Sequence, residues 1–192
     1  MDLFYFHLDE FLKKGIARDF NKICKYDYMG YEGYKRLYKR KKKEKKMWNK
    51  IVTESDISNF MRDMNCFSDS CIKEIKYVSG GYVNKDLSMY ALNSKRNLYI
   101  CIQRQYNTFS TIELMFQGVY KFSMTPRNEH KDCVIYDSSL IKKQNLYYWA
   151  DYEDLDINNI DDYGTLVIAE QMYWRNINTS LGNKEVYISN LE

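Results

Sequence analysis

Proline and histidine are scarce in this sequence, and their scarcity limits what the chain can be. It has one proline and two histidines among 192 residues. No stretch rich in proline, glycine and serine is present, which argues against a disordered linker. A chain of this length suits a single domain, in which about 70% of the unfolded surface becomes buried.

Sequence motifs of familiar enzymes are also missing. The chain has no GxSxG elbow, no Walker loop, no GxGxxG and no HExxH. Residues 79–81, SGG, are better interpreted as a hairpin turn than as a phosphate-binding loop, because no helix follows them. We therefore expect a non-enzymatic protein without a cofactor. Carboxylates that only folding brings together would escape such a reading.

The cysteines and the N-terminus indicate a reducing compartment. The five cysteines are scattered and include no CxxC pair, which favours free thiols over a disulfide framework. The first residues, MDLFYFHLDEF, carry acids where a secretory signal would carry lysines. Apolar runs such as LYICI are far shorter than the roughly 20 residues of a membrane helix. These features predict a cytoplasmic protein that does not contact membranes.

Two pairs of side chains have spacings that a Cys₃His zinc site tolerates. Cys66 and Cys71 form one pair, and His130 and Cys133 form the other. Cys71 and Cys133 also fall in predicted strands, where cysteine usually acts as a small buried hydrophobe. A zinc site is thus a hypothesis beside the simpler structural interpretation.

Residues 35–50 carry ten basic side chains and one acidic one, whereas the rest of the chain is mildly acidic. One stripe at helical spacing predicts a helix docked by its aromatic side. The stripe contains Tyr34, Leu37, Tyr38, Trp48 and Val52. Repulsion among these basic side chains would be relieved by an acidic surface. This chain, a protein partner or nucleic acid could supply that surface. The candidates for nucleic-acid binding are Lys39, Arg40, Lys41, Lys42, Lys43, Lys45 and Lys46.

The hydrophobic pattern predicts an α+β fold with N-terminal helices followed by a mainly antiparallel β-sheet or small sandwich. Apolar residues at helical spacing predict helices over 3–24 and after Ser55, an expected N-cap. From Cys71 the period changes to two, and the links are short, which favours antiparallel neighbours. Residues 1–66 are expected to form a helical segment, packed on or appended to a β-rich domain over 67–192, as one folding unit. Strands are expected at CIKEIKYV, LSMYALN, LYICIQR, TIELMFQG, VYKFSM, CVIY, LYYWA, TLVIAEQMYW and KEVYI. In LYICIQR the alternation places Leu98, Ile100 and Ile102 on one face, and in TIELMFQG it places Ile112, Leu114 and Phe116 on one face.

An acidic segment, residues 151–162, holds six carboxylates and no base. Asp154, Asp156 and Asn158 alternate as at the start of a calcium loop, but Asn159 and Thr165 stand where glycine and glutamate belong, so a solvated loop is the better interpretation. With nearby aromatic residues it suggests a surface for a protein partner. The candidate residues are Trp149, Asp151, Glu153, Asp154, Asp156, Trp174 and Arg175. The alternative is that the tryptophans are core and the charges protect sheet edges.

The run CFSDSCIKEIKY, followed by strands and then LYYWAD, resembles a group of small bacterial α+β proteins. In these a phrase like Phe-His-Asp-Ser opens the β part, and a Trp-Ala-Asp strand comes later. The likeness covers residues 66–152; Ser68 replaces the histidine, and only Asp69 and Ser70 carry over. The resemblance implies an immunity or accessory protein of bacterial conflict systems, which binds a protein partner rather than catalysing a reaction.

The nucleic-acid alternative predicts salt-sensitive retention of RNA or DNA by this protein. Replacing Lys41, Lys42 and Lys43 with alanine is expected to abolish that retention. Each lost phosphate contact should reduce the slope of log affinity against log salt by about one unit. Mobility-shift titrations at several salt concentrations measure this slope, and equal retention by the variant would contradict the alternative.

Overall fold

A computed structural model describes residues 47–160, 164–177 and 180–188. All of these lie in one compact unit, Lys45–Glu192. The helix predicted over 3–24 lies outside the described residues. So do the nucleic-acid-binding candidates Lys39, Arg40, Lys41, Lys42, Lys43, Lys45 and Lys46.

The described part of the chain is mainly β. Its elements, in chain order, are β1 Asn49–Ile51, α1 Glu54–Asp63, a 3-10 turn Asn65–Phe67, β2 Ser70–Val78, β3 Tyr82–Val83, β4 Met89–Tyr90, β5 Asn97–Arg104, β6 Thr111–Met124, β7 Ser139–Lys143, β8 Leu146–Ala150 and β9 Thr165–Asn176. The predicted α+β class with N-terminal helices is therefore wrong, because strands dominate and α1 is the one α-helix among these residues.

Seven strands form one antiparallel sheet. Six of them lie side by side in the order β2-β5-β6-β9-β8-β7, and the seventh, β1, is off this path. Strand β1 pairs with the C-terminal half of β9, on the same side on which β8 pairs with the N-terminal half. Strands β3 and β4 form a separate small hairpin in the link between β2 and β5. The predicted antiparallel pairing is thus confirmed.

One face of the sheet carries the main hydrophobic core. Leu98, Ile100 and Ile102 of β5 are fully buried there, as are Ile112, Leu114 and Phe116 of β6. Both sets were predicted from the two-residue alternation, since side chains at i and i+2 share a face. Tight packing of these apolar side chains supplies most of the stabilisation of the sheet.

Helix α1 covers this core face with its apolar side. Ile57, Phe60 and Met64 are buried, which confirms the predicted short helix. Its N-cap is Thr53 rather than Ser55, because the Asp56 carboxylate closes a capping box by accepting from the Thr53 amide at 2.8 Å.

Residues 47–51 are extended and do not continue a basic helix. The helical stripe placed Val52 inside, but Val52 is exposed, whereas Ile51 is buried and its strand completes the edge of β9. Pairing with β9 provides hydrogen-bond partners for the backbone of β1 and at the same time buries Ile51. Tertiary contacts therefore override the local helical pattern here.

Three of the other predicted strands differ from the structure. VYKFSM continues β6 instead of forming a strand of its own. CVIY contributes only an isolated bridge between Ile135 and Ser70, and KEVYI is not a strand. Within the described ranges, no helix is long and apolar enough to cross a membrane.

Strand β6 is much longer than its neighbour β5. It pairs with β5 only over Thr111–Phe116, whereas its pairing with β9 runs on to Met124. Residues 119–124, which we call the β6 overhang, therefore lie beyond the last residue pair that β6 forms with β5.

Replacing Trp149 with alanine tests the composition of the core. The side chain is fully buried, so its removal should lower the free energy of unfolding by about 3–5 kcal/mol. Urea denaturation measures this change. Tyr120→Ala, at an exposed position, is the control and should change stability by less than about 0.5 kcal/mol. A change for Trp149→Ala as small as the control's would contradict the packing described here.

Candidate functional site: an open edge strand with aromatic side chains

The predicted partner-binding residues do not form one surface. Trp149 is fully buried, with its ring centroid 6.1 Å from that of Phe67 and 6.2 Å from that of Phe116. Trp174 is partly buried between Phe60, at 5.4 Å, and Phe109, at 5.5 Å. Trp149 is therefore a core residue and not the surface anchor that the sequence suggested.

Residues 151–160 of the acidic segment form a loop that covers the second face of β8 and β9. Leu155 packs there against Ala150, Leu166 and Ile168 in a smaller apolar cluster. The Asp151 carboxylate accepts a hydrogen bond from the Thr165 amide at 2.7 Å, which ties the start of the loop to β9.

Exposed carboxylates remain on the outer side of this loop, at Glu153, Asp154 and Asp156. Asp156 accepts hydrogen bonds from the backbone and side-chain amides of Asn158, at 2.9 and 3.2 Å. This local turn explains why Asp156 and Asn158 alternate as they do, without a calcium ion. The loop thus exposes negative charge on its outer side, while its inner side is attached to the sheet.

Arg175 takes part in an ion pair inside the sheet rather than at a partner surface. Its guanidinium donates to the Glu113 carboxylate at 2.5 Å, and the Trp48 ring centroid lies 4.4 Å from the guanidinium carbon. The Glu113 and Arg175 side chains are 1% and 12% exposed. Burial raises the pKa of Glu113, while the neighbouring Arg175 opposes that shift. The arginine is therefore already occupied.

The structure does not bring the four residues of the zinc hypothesis together at one site. Cys71 and Cys133 are neighbours, whereas His130 is exposed on a loop and pairs with Glu129. Cys66 lies in the 3-10 turn, where its carbonyl accepts from the Ser138 hydroxyl at 2.9 Å. No group of three or more His, Cys, Asp or Glu side chains is placed to hold a metal in the described ranges.

Most of the large exposed apolar side chains among the described residues lie on the β6 overhang and on the arm, residues 79–96, which contains β3 and β4. Tyr120, Phe122 and Met124 of the overhang are exposed, and the rings of Tyr82 and Tyr90 stack at 5.2 Å on the arm. Further exposed apolar side chains of the arm are Val83, Leu87, Met89 and Leu92. Large exposed apolar patches commonly mark binding surfaces.

A pocket of about 380 Å³ lies between the overhang and the arm. It is lined by Tyr77, Asn93, Arg96, Val119, Tyr120 and Phe122. The Tyr77 hydroxyl and the Asn93 amide are hydrogen bonded at 3.1 Å, which holds the arm beside the end of β2. Aromatic rings and an amide therefore converge in one concavity, as in typical ligand and peptide sites.

Arg96 fixes the floor of this pocket. Its guanidinium lies 5.2 Å from the Tyr120 ring centroid and pairs with the Glu170 carboxylate at 3.0 Å. Gly118 permits this arrangement: its φ is +65°, and an added Cβ would lie 2.6 Å from the Glu170 carboxyl carbon. The backbone of β6 and the Arg96 side chain are thus positioned together.

Among the described residues, no strand pairs with one edge of the overhang. The last link toward β5 is the Val119 amide, which donates to the Arg96 carbonyl at 3.0 Å. The Thr125 amide donates to Gly164, beside β9, at 2.8 Å. Because backbone groups alternate along a strand, those of Phe122 and Met124 point away from β9, toward an edge that no strand pairs with among the described residues.

The sequence concealed this site because VYKFSM has the alternation of an ordinary core strand. Tyr120, Phe122 and Met124 alternate with Lys121 and Ser123, a pattern that shows neither where β5 stops nor which face is covered. The mismatch between the eight residues of β5 and the fourteen of β6 could have been noticed only by assigning both strand lengths.

Comparison with known proteins gives no relative from which a function could be transferred. The chain matches no protein-family model, no curated protein and no solved structure. The geometry of the β6 overhang and the arm is therefore the basis of the functional proposal.

The Glu113–Arg175 pair predicts a clear pattern in a double-mutant cycle. Arg175→Met leaves a buried carboxylate without compensation and should lower the free energy of unfolding by about 3–5 kcal/mol. Adding Glu113→Leu to Arg175→Met should restore most of that loss, because the desolvation cost disappears with the charge. Urea denaturation of the two single variants, the double variant and the wild type measures the coupling.

The same pair predicts a pH dependence of stability. The folded-state pKa of Glu113 lies above its ordinary value of 4.5, so the folded state binds the extra proton more tightly than the unfolded state. The resulting stabilisation is complete below about pH 4.5 and is lost as pH rises through the folded-state pKa. The stability difference between wild type and Glu113→Gln should change only in that window; a difference independent of pH would contradict the raised pKa.

Proposed function

We propose that this protein is a non-enzymatic protein-binding module that adds an extended segment of its partner to the open edge of β6. The observation that carries this proposal is the β6 overhang, where exposed aromatic side chains flank backbone groups that have no strand partner in the part of the chain that the structure describes. Strand addition of this kind gives affinity through main-chain hydrogen bonds and specificity through pockets for alternate side chains.

Main-chain pairing would extend the sheet by one strand. The backbone groups of Phe122 and Met124 point to the open edge, so a strand running antiparallel to β6 could pair with both. Such a strand would lie alongside the pocket, where side chains of the partner could contact Tyr77, Tyr120 and Phe122. The aromatic rings supply contact area with little loss of conformational entropy.

Charge favours an acidic partner segment. The arm and the overhang carry Lys85, Lys95, Arg96 and Lys121. Glu170 pairs with Arg96, and Asp86 lies on the same arm, so these four basic and two acidic side chains leave a net charge of +2. Complementary charge would raise the association rate and orient the partner.

The geometry of the edge disfavours pairing between two copies of this chain. A β-bulge at Tyr120 interrupts the regular ladder with β9, and Lys121 follows it directly. Bulges and lysines are common devices that prevent edge-to-edge association. Two β6 edges would also bring like charges together, whereas a partner strand of opposite charge would not.

The acidic loop is a second possible contact surface for the same function. Its carboxylates at Glu153, Asp154 and Asp156 are exposed, and the loop is anchored to the sheet. It lacks the aromatic side chain that Trp149 was expected to supply. An immunity-like role, in which the partner would be a toxin, follows from the resemblance to small bacterial proteins and stays a prediction.

Site-specific crosslinking tests the edge proposal. A photoreactive phenylalanine analogue at position 120 should crosslink the partner in the native host, whereas the same analogue at Tyr136, an exposed site on another loop, should not. The crosslinked peptide should be extended and rich in acidic residues. A synthetic copy should then slow hydrogen exchange at the amides of Phe122 and Met124.

Substitutions at the overhang should weaken binding of that peptide without affecting folding. The double variant Tyr120→Ala, Phe122→Ala should lose affinity by a factor of about 10 or more, since aromatic interface anchors commonly contribute 1–2 kcal/mol or more. Tyr136→Ala is the matched control, and isothermal titration calorimetry measures both. Full affinity in the double variant, with loss on Glu153→Gln, Asp154→Asn, Asp156→Asn, would assign the contact to the acidic loop instead.

A further inference from the structure

Two cysteines that are distant in sequence lie side by side in the fold. Cys71 is the second residue of β2, and Cys133 lies in the segment that follows β6. An isolated antiparallel bridge joins Ser70 to Ile135, with the Ile135 amide donating to the Ser70 carbonyl at 2.7 Å. Cys71 is the residue after this bridge on β2, and Cys133 lies two residues before it on the other segment. Residue 133 is outside any regular strand, so strand alternation does not turn its side chain away from Cys71.

The thiols of Cys71 and Cys133 lie close enough to influence each other electrostatically. Both are free in this structure. Adjacent residues of an antiparallel bridge have Cα separations within or close to the range that a disulfide requires. Cys71 and Cys133 are each within two residues of the bridged pair, so their backbones are close to that range.

The two cysteines differ in access to solvent. Cys133 is exposed, and Cys71 is half-buried. Burial raises the pKa of the Cys71 thiol, and the neighbouring Cys133 raises it further, while Lys73 opposes the shift. Cys133 is thus the thiol that an external reagent reaches first.

Local contacts hold Cys133 in this exposed position. The Asp132 carboxylate accepts from the Val134 amide at 3.0 Å and from the Tyr136 hydroxyl at 3.0 Å. Arg127 pairs with the same carboxylate at 3.2 Å. The segment on both sides of Cys133 is therefore tied down, which keeps its thiol beside β2.

We propose that Cys71 and Cys133 form a reversible disulfide by exchange with a low-molecular-weight disulfide. The Cys133 thiolate attacks one sulfur of the small disulfide, forms a mixed disulfide and releases one small thiol. The Cys71 thiolate then attacks the Cys133 sulfur and releases the second small thiol. Two protein thiols are oxidised, one small disulfide is reduced to two thiols, and the two protons end on those thiols.

The bond would join the start of β2, at one end of the sheet order, to the segment that leaves the β6 overhang. It closes a long loop of chain and so restricts the unfolded state more than the folded state. The inference stands on the placement of these thiols and does not depend on the proposed peptide binding.

Oxidation of the purified full chain with oxidised glutathione tests the proposal. The product should lose two hydrogen atoms in intact mass, and peptide mapping should find a Cys71–Cys133 crosslink. Dithiothreitol should reverse the change. The midpoint of thermal unfolding should rise by roughly 5–10 °C in the oxidised form.

Variants separate this pair from the other cysteines. The Cys133→Ser variant, changed at an exposed position, should remain unmodified by oxidised glutathione. The Cys71→Ser variant should form a glutathione adduct on Cys133 and react no further. The control variants Cys24→Ser and Cys66→Ser should still form the crosslink. If Cys71→Ser fails to fold, the Cys133→Ser variant and the peptide map decide alone. A dominant bond that uses another cysteine, or none at all, would overturn the proposal.

Discussion

The pairing of β6 with β9 is the interaction on which the rest of the structure depends. These are the two longest strands, and their ladder runs from Ile112 opposite Asn176 to Met124 opposite Thr165. Strand β9 then carries β8 and β1 end to end on its other side, while β6 carries β5. Apolar residues of this ladder contribute to the main core on one face and to the smaller cluster on the other. Loss of this ladder would leave the outer strands without a common neighbour.

The candidate site arises from a difference in length along this ladder. Strand β9 is long enough to pair with β6 as far as Met124, but β5 ends its pairing at Phe116. The remaining segment is thus paired with β9 on one side, and no strand of the described ranges pairs with it on the other. The arm that links β2 to β5 adds its aromatic side chains beside this opening. A rigid strand with one free edge is better prepared for a partner than a flexible loop, because less conformational entropy is lost on binding.

Alternation in the sequence predicted the central strands well, because burial repeats every two residues in a sheet. It placed Leu98, Ile100 and Ile102 on one face, and the structure buries all three. Helical spacing placed Trp48 and Val52 in one stripe, but Asn49–Ile51 between them form strand β1. Three residues of β1 are too few for periodicity to register, and long-range pairing with β9 decides their conformation.

The candidate site was harder to predict for a related reason. Surface position depends on which strands are neighbours, and the linear sequence does not contain that information. Trp149 and Tyr120 illustrate this: both lie in alternating aromatic strands, yet one is fully buried and the other is 63% exposed. The acidic segment was identified correctly as charged, but Leu155 and the tie from Asp151 to Thr165 make it a cover of the sheet as well.

Gly118 gives this surface an unusual sensitivity. Any side chain at that position would compete with the Glu170 carboxyl group for the same space, besides forcing an unfavourable backbone angle. If Glu170 were displaced, its salt bridge with Arg96 would break. Arg96 would then lack the contact that orients its guanidinium over the Tyr120 ring. The shape of this candidate surface thus depends on the absence of a Cβ atom at position 118.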